Sequence, residues 1–354
     1  MTPKKIIQCT NFNILKRTGA YMNIAPYKIS NGLIRNGHNV LNFSDRDMLK
    51  TFSVFGKLKQ FGYKPFNELF YRYCIDTKPD GILFGHADTI SVETLARIRK
   101  GLPNTKILQW NVDNINPRFR ADNIEKLKAK IDFVDYTIIT TADKNLLGQF
   151  NPKKYKVGFM PNPVDRSIET GKAFEIKDPE WDLVFPSTPK NIREFGGKLM
   201  KTADIVEIIS KHIDMNKVLF SRVNGESLVG AEYQRVFSNA AMGLNINCTN
   251  EDYLYSSDRM AHLIGNGVLA LIDERTGFGD LFNKDEIAFY KGEDDLYKKI
   301  DYYRKNPEER MAVAEKGWKK YHELFNEQII AKYIADLMFD EFDSNNFVWP
   351  TIME

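Results

Sequence analysis

The chain has 354 residues, with 50 Lys+Arg against 47 Asp+Glu, so its formal charge is only +3. That length suits two domains, and the near balance of charge argues against nucleic acid as a partner. No apolar run approaches a membrane span. Met1-Thr2-Pro3-Lys4-Lys5 leads straight into a strand-like run with no apolar signal core, and the scattered Cys9, Cys74 and Cys248 have no metal-type spacing; both features fit a reducing cytoplasm.

The pattern predicts a first strand over 4–9, a loop over 11–21 that contains Thr18-Gly19-Ala20, a helix over 23–36 stopped by Gly37, and a second strand over 38–43. This β-loop-α-β opening is the unit of a doubly wound sheet. It lacks the G-x-G-x-x-G fingerprint of a dinucleotide site, which argues against an NAD-linked oxidoreductase. Residues 46–64 mix basic and aromatic side chains, among them Lys50, Phe52, Phe61, Tyr63 and Lys64. Such a segment could rest on an anionic membrane surface; the alternative is a solvated helix and loop whose aromatics face a core.

A buried strand over 81–84 ends at Gly85-His86-Ala87-Asp88, and a strand over 106–110 ends at Asn111-Val112-Asp113-Asn114. Ligands of open α/β sheets bind at such carboxyl ends, which makes His86, Asp88 and Asp113 candidates for the chemistry. Further strands are predicted over 136–140 and 156–160, with a helix over 144–150 capped by Asp143. The turn Pro161-Asn162-Pro163-Val164-Asp165 and the polar segment to Glu180 read as an interdomain linker.

A second α/β series starts at Trp181, with a strand over 182–185 and a helix running to 211. Lys190 and Arg193 fall at the turn between them, where a phosphate would want a cation. After a strand over 242–246 comes the stretch 252–267, in which Ser256-Ser257-Asp258 opens a helix near Arg259 and Gly265 and Gly267 close it. Ser and Asp are good N-caps, and the free N–H groups and dipole of a helix start suit an anion such as a diphosphate. A strand over 268–272 follows, then helices over 294–304 and from Pro307, and an amphipathic tail over 325–342.

Taken in order, these motifs resemble GT-B glycosyltransferases of the group 1 type, close to family 4 and its CgeB-like branch. Gly37-His38-Asn39-Val40, Pro79-Asp80 through His86, and Pro161-Asn162-Pro163-Val164-Asp165 carry the likeness in the first half. Leu244-Asn245-Ile246-Asn247, Ser257-Asp258-Arg259, Gly265-Asn266-Gly267 and Asn306-Pro307-Glu308-Glu309-Arg310 carry it in the second.

The resemblance implies two Rossmann-like, doubly wound domains facing a central cleft: an acceptor domain over 1–170, a nucleotide-sugar domain over 171–335, and a tail over 336–354 returning to the first. It implies a hexosyltransferase-like enzyme of polysaccharide or lipopolysaccharide biosynthesis, with a glycan, lipid-linked or protein acceptor. It would be metal-independent and retaining, without a cofactor, cytoplasmic or peripheral on the inner membrane face. Carried over by position, Ser256, Ser257, Asp258, Arg259, Arg193 and Lys190 bind the diphosphate. His86 lies near the donor sugar with Asp113 as a candidate base, and Thr18 and Gly19 form the acceptor loop. The family's two glutamates are absent: Leu254 and His262 stand in their places. The shared face of Arg259 and His262 points His262 toward the nucleotide ribose; a core histidine is the alternative. Two other functions stay open, a non-catalytic nucleotide- or sugar-binding protein and an inverting transferase using a donor such as a CMP-sugar.

Overall fold

The computed structural model describes residues 2–15, 19, 22–52, 61–213, 216–220, 222–223 and 226–353. The chain forms two compact units, residues 1–161 with 327–354, and residues 162–326. The divisions thus fall at 161 and 326, where the sequence suggested 170 and 335.

The first unit runs β1 (Lys5–Thr10), α1 (Ala25–Arg35), β2 (Asn39–Ser44), α2 (Asp45–Thr51), α3 (Tyr63–Thr77), β3 (Gly81–Gly85), α4 (Val92–Gly101), β4 (Lys106–Asn111), α5 (Pro117–Lys128), β5 (Tyr136–Ile139), α6 (Lys144–Gly148) and β6 (Lys156–Phe159). These six strands are parallel, in the order β2-β1-β3-β4-β5-β6. Helices cover both faces of such a sheet, so its strands are apolar throughout; every residue of β3 is buried. The order reverses between β1 and β3, the topological switch point where doubly wound sheets take their ligands.

The second unit runs β7 (Trp181–Phe185), β8 (Ile192–Phe195), β9 (Lys198–Lys201), α7 (Thr202–His212), β10 (Val218–Phe220), β11 (Arg222–Val223), β12 (Glu226–Ser227), α8 (Gly230–Ser238), β13 (Ala240–Asn245), α9 (Asp258–Gly265), β14 (Leu269–Asp273), β15 (Ala288–Tyr290), α10 (Gly292–Lys305) and α11 (Pro307–Leu324). Its main sheet has the order β10-β7-β13-β14-β15, all parallel. The pattern repeats that of the first unit, with the switch point between β7 and β13. Gly243 of β13 sets the distance of α9 from the sheet, since a Cβ there would lie 2.1 Å from Leu263 Cδ2.

Two readings of this half are corrected. The helix expected directly after Arg193 begins only at Thr202, and the β8–β9 hairpin precedes it. The hairpin turns on Gly196 (φ +57°) and Gly197 (φ +73°), a glycine pair with the positive angles of a type I′ turn. The polar segment read as a linker is packed in place: Gly171 N–H donates to Asn266 Oδ1 (3.0 Å) and Ala173 N–H to Asn266 O (2.9 Å).

The chain then returns to the first unit as α12 (Glu327–Met338), and β16 (Ile352–Met353) pairs antiparallel with β6. Helix α12 lies against α1, where a Cβ on Gly32 would fall 2.0 Å from Glu327 O and 2.8 Å from Ala331 Cβ. The Arg35–Glu327 ion pair (2.5 Å) and the bond from Asn36 Nδ2 to Gln328 O (2.8 Å) flank that contact. Overpacking of this kind costs about 1–3 kcal/mol or more, and backbone on both sides leaves little room to yield. Gly32→Ala should therefore lower the melting temperature of the first unit, and differential scanning calorimetry of the full chain measures it. An unchanged melting profile would show that the helices can part at no cost.

Candidate functional site

Helix α9 starts at the carboxyl end of β13. Ser257 caps it, its Oγ accepting from Met260 N–H (3.3 Å) and donating to Asn245 Oδ1 (2.9 Å). The half-buried Arg259 lies in the first turn. Its Nη1 donates to Ile246 O (2.9 Å) just beyond β13, and its Nε reaches Pro186 O (3.4 Å) just beyond β7. The guanidinium thus spans the two strands at the switch point, with its carbon 5.2 Å from the centre of the Phe185 ring. Among the described residues its contacts are carbonyl, amide and ring, with no carboxylate. Burial, then the neighbouring Arg193 guanidinium, push its pKa down to about 10, which leaves it cationic at neutral pH.

Arg193 comes to the same place from β8, where its Nη1 donates to Cys248 Sγ (2.9 Å). Its strand neighbour Glu194 accepts from Asn250 N–H (3.0 Å) and Arg275 Nη1 (2.6 Å), and Arg275 is in turn held by Asp273 at the end of β14. This chain of contacts fixes the hairpin over the carboxyl edge of the sheet. Around the two arginines, Arg193 Nε and the Nδ2 groups of Asn245 and Asn247 are buried donors without a partner among the described residues. Asp258 Oδ1 is a buried acceptor in the same state. Buried polar groups in native structures are nearly always bonded, and these orphaned groups gather around two cations.

The other sequence candidates divide. Lys190 is exposed on the loop after β7, away from the contacts that organise the site. Ser256 is fully buried and committed to the chain start of this unit, its Oγ accepting from Asn162 N–H (2.8 Å) and its carbonyl from Asn162 Nδ2 (2.6 Å). It shapes the turn and does not face a ligand.

His262 is corrected. It is 3% exposed, with Nδ1 2.8 Å from Glu169 Oε1 and the rings of Tyr233 and Phe237 set edge-on to it. The face it shares with Arg259 is covered at that depth by the segment carrying Glu169, which read as linker. Leu254, at the other lost glutamate position, is also core and takes a left-handed backbone (φ +53°).

Sequence reasoning did not single out Asn245, Asn247 or Glu169. The spacing Asn245-Ile246-Asn247 at a strand's carboxyl end was the available signal for the first two.

In the first unit, His86 follows β3 with φ +50°, a left-handed conformation that costs a non-glycine residue of order 1–3 kcal/mol and clusters at functional sites. Val112 N–H donates to its Nε2 (3.4 Å), which puts the proton on Nδ1, 3.9 Å from Asp113 Oδ2. Burial lowers the pKa of the imidazole, so it is neutral at pH 7. Asp113 is mostly exposed. Of the acceptor-side loop, Gly19 (φ +56°) is a turn residue whose carbonyl accepts from Met22 N–H (3.3 Å), and Thr18 lies outside the described residues. Among the described residues no cluster of three His, Cys, Asp or Glu side chains could hold a metal. Asp45 and Asp47, the one D-x-D pair of the sequence, are buried and bonded to Thr89 Oγ1 (2.6 Å) and Ser44 Oγ (2.6 Å).

Residues 206–336 match the family described as glycosyl transferase-like. No curated protein matches the chain. Among solved structures, the catalytic domain of starch synthase IV from Arabidopsis thaliana, bound to ADP and acarbose, aligns at 9% identity with a TM-score of 0.63, over 96% of this chain and 99% of that one. The chain has the GT-B fold. Sucrose-phosphate synthase from Thermosynechococcus elongatus, another similar structure, aligns at 12% identity with a TM-score of 0.61, over 96% of this chain and 99% of that one. Anabaena HepE in complex with UDP and glucose gives 12% and 0.57, over 94% and 98%. At such identities the likeness shows the GT-B fold alone, and the glycosyl transferase-like match falls on the part of the chain that carries Arg259.

The His262–Glu169 contact generates a prediction. Removing one member of a buried ionisable pair costs about 3–5 kcal/mol, because the other is left without compensation. His262→Ala should lower the melting temperature of the full chain by many degrees and leave nucleotide affinity of the remaining folded protein unchanged. A loss of affinity at an unchanged melting point, read by calorimetric titration, would return His262 to the ligand set.

Proposed function

We propose that this protein transfers a sugar from a nucleotide-sugar donor to a glycan, lipid-linked or protein acceptor. The second unit holds the donor diphosphate at the ends of β7 and β13, and the first unit holds the acceptor. One observation carries the reading: a desolvated guanidinium at the switch point, with a second arginine and orphaned amide donors beside it and, among the described residues, no carboxylate bound to either arginine. The departure of a nucleoside diphosphate leaves two phosphates' charge to be met, and preorganised cations and N–H groups in a poorly solvated site meet it most effectively. Arg259, Arg193, the N–H groups of the first turn of α9, and Asn245 and Asn247 form that set. Asp258 accepts from a donor hydroxyl. The solved complexes of GT-B relatives with ADP, UDP and UDP-glucose favour this ligand class.

We read the transfer as metal-independent and retaining, through a front-face route in which the leaving phosphate itself takes the acceptor proton. His86, neutral and carrying its proton on Nδ1 beside Asp113, is the first unit's candidate for a hydrogen bond to a reacting sugar. The CgeB-like resemblance, a cytoplasmic location and a contact of residues 46–64 with the inner membrane face belong to the same reading. Phe61 and Tyr63, both exposed, support the last; residues 53–60 of that segment lie outside the described residues. Among the described residues no helix is long and apolar enough to cross a membrane. A second reading, nucleotide-sugar binding without turnover, is favoured by His262, which stands where the family's ribose-contacting glutamate would be and is bound to Glu169 instead.

A thermal-shift screen against UDP, GDP, ADP, CMP and dTDP, followed by a product assay with the sugar donors of the best nucleotide, separates the two. Charge-assisted contacts are worth about 1.5–3 kcal/mol, so Arg259→Ala should reduce turnover about tenfold to a hundredfold while the fold persists; wild-type turnover in that variant would sink the assignment. Turnover should also survive EDTA. Complete loss on chelation, restored by manganese or magnesium, would reverse the metal-independent reading.

A further inference from the structure

The first unit contains a cavity of about 160 Å³ at the carboxyl ends of β3 and β4, closed on one side by α5. By volume it has room for roughly five waters, the space of one sugar ring and not of a nucleotide. Four cations line it, Arg46, Arg120, Lys126 and Lys130, against three carboxylates, Asp88, Asp113 and Asp122. Most of these charges are spent on each other. Arg46 holds Asp88 through two bonds (2.9 and 3.2 Å), and Lys126 lies between Asp88 (3.7 Å) and Asp122 (3.1 Å).

Lys130 and Arg120 are different. Lys130 is 6% exposed, and its ammonium donates to one backbone carbonyl, Ala87 O (3.2 Å), with no carboxylate within 4.0 Å among the described residues. Burial depresses its pKa, and Asp88, Cys9 and Asp45 oppose the depression from farther off. Cys9 is a buried thiol pushed well up by burial, and Asp45 is a buried acid raised to about 6, bonded to Thr89. An under-solvated ammonium is costly unless an anion reaches it.

Arg120 sits at a break in α5 (φ −146°, ψ +55°) that turns the chain there out of helical geometry. It is exposed, and its side chain has no hydrogen bond or ion pair among the described residues.

We propose that this cavity binds a small anion of the size of one sugar ring, a sugar bearing a phosphate or a carboxylate, with Lys130 and Arg120 on the charged group. As a binding site it stands on its own residues. As the acceptor site of a transferase it rests on the reading above, and it then makes the acceptor a charged sugar.

The test is calorimetric titration of the full chain with glucose 6-phosphate, glucuronate, inorganic phosphate and glucose. Saturable binding of glucose 6-phosphate or glucuronate is expected, the stronger of the two naming the charged group, with glucose and inorganic phosphate each weaker by about tenfold or more. Arg120→Gln and Lys130→Met should each weaken that binding about tenfold, while Arg118→Gln, an exposed control on the same helix, should not. Binding of the best nucleotide should be the same in all of them. This separates failure of the cavity proposal from failure of the transferase reading, which the nucleotide and turnover assays decide. Should Lys130→Met melt below the assay temperature, Arg120→Gln decides alone. The proposal is overturned by no saturable binding of either charged sugar, by glucose binding as tightly as they do, or by Arg120→Gln losing no more than Arg118→Gln.

Discussion

The second unit is organised around a cation that is solvated by dipoles instead of being neutralised. Arg259 spans the ends of β7 and β13 and donates to the carbonyls of Pro186 and Ile246. A carboxylate in the same place would satisfy the guanidinium more cheaply and would cancel the field an anionic ligand feels. Carbonyl oxygens lower the cost of burial and leave the net charge in place. Much of the local structure serves that arrangement. Gly243 brings α9 close to β13, Ser257 fixes the first turn, and Glu194, Arg275 and Asp273 hold the hairpin that delivers Arg193.

The two units share a strand order and differ in how they spend their charges. In the first, the arginine after β2, Arg46, is engaged by Asp88, so the field near its switch point is largely compensated. In the second, neither arginine has such a partner among the described residues. The same topology therefore offers a strongly anion-seeking edge in one unit and a mixed, hydrogen-bonding edge in the other. That contrast lies in side-chain pairing and not in fold.

Much of this was legible in the sequence because some segments obey a single local rule. β3, β13 and β14 are continuous apolar runs, and α9 announces itself by Ser257 and Asp258 ahead of an apolar stripe. The failures occur where a distant segment overrides local pattern. Glu194 and Phe195 looked like the start of a helix, but Gly196-Gly197 turns the segment into a hairpin that Arg275 anchors from 81 positions away. His262 shares a helix face with Arg259, yet Glu169, 93 positions earlier, covers it. The cavity of the first unit draws on positions from Arg46 to Lys130, and no local periodicity relates them.

The return of α12 and β16 to the first unit has a consequence for biosynthesis. A ribosome makes residues 162–326, a contiguous unit, before it makes the helix and edge strand that complete the N-terminal one. The N-terminal unit is therefore complete only after the second unit has been made, whereas N-terminal domains ordinarily fold first. Until residues 327–353 emerge, the groove at Gly32 on α1 and the open edge of β6 are bare apolar and hydrogen-bonding surface, a binding footprint for nascent-chain chaperones.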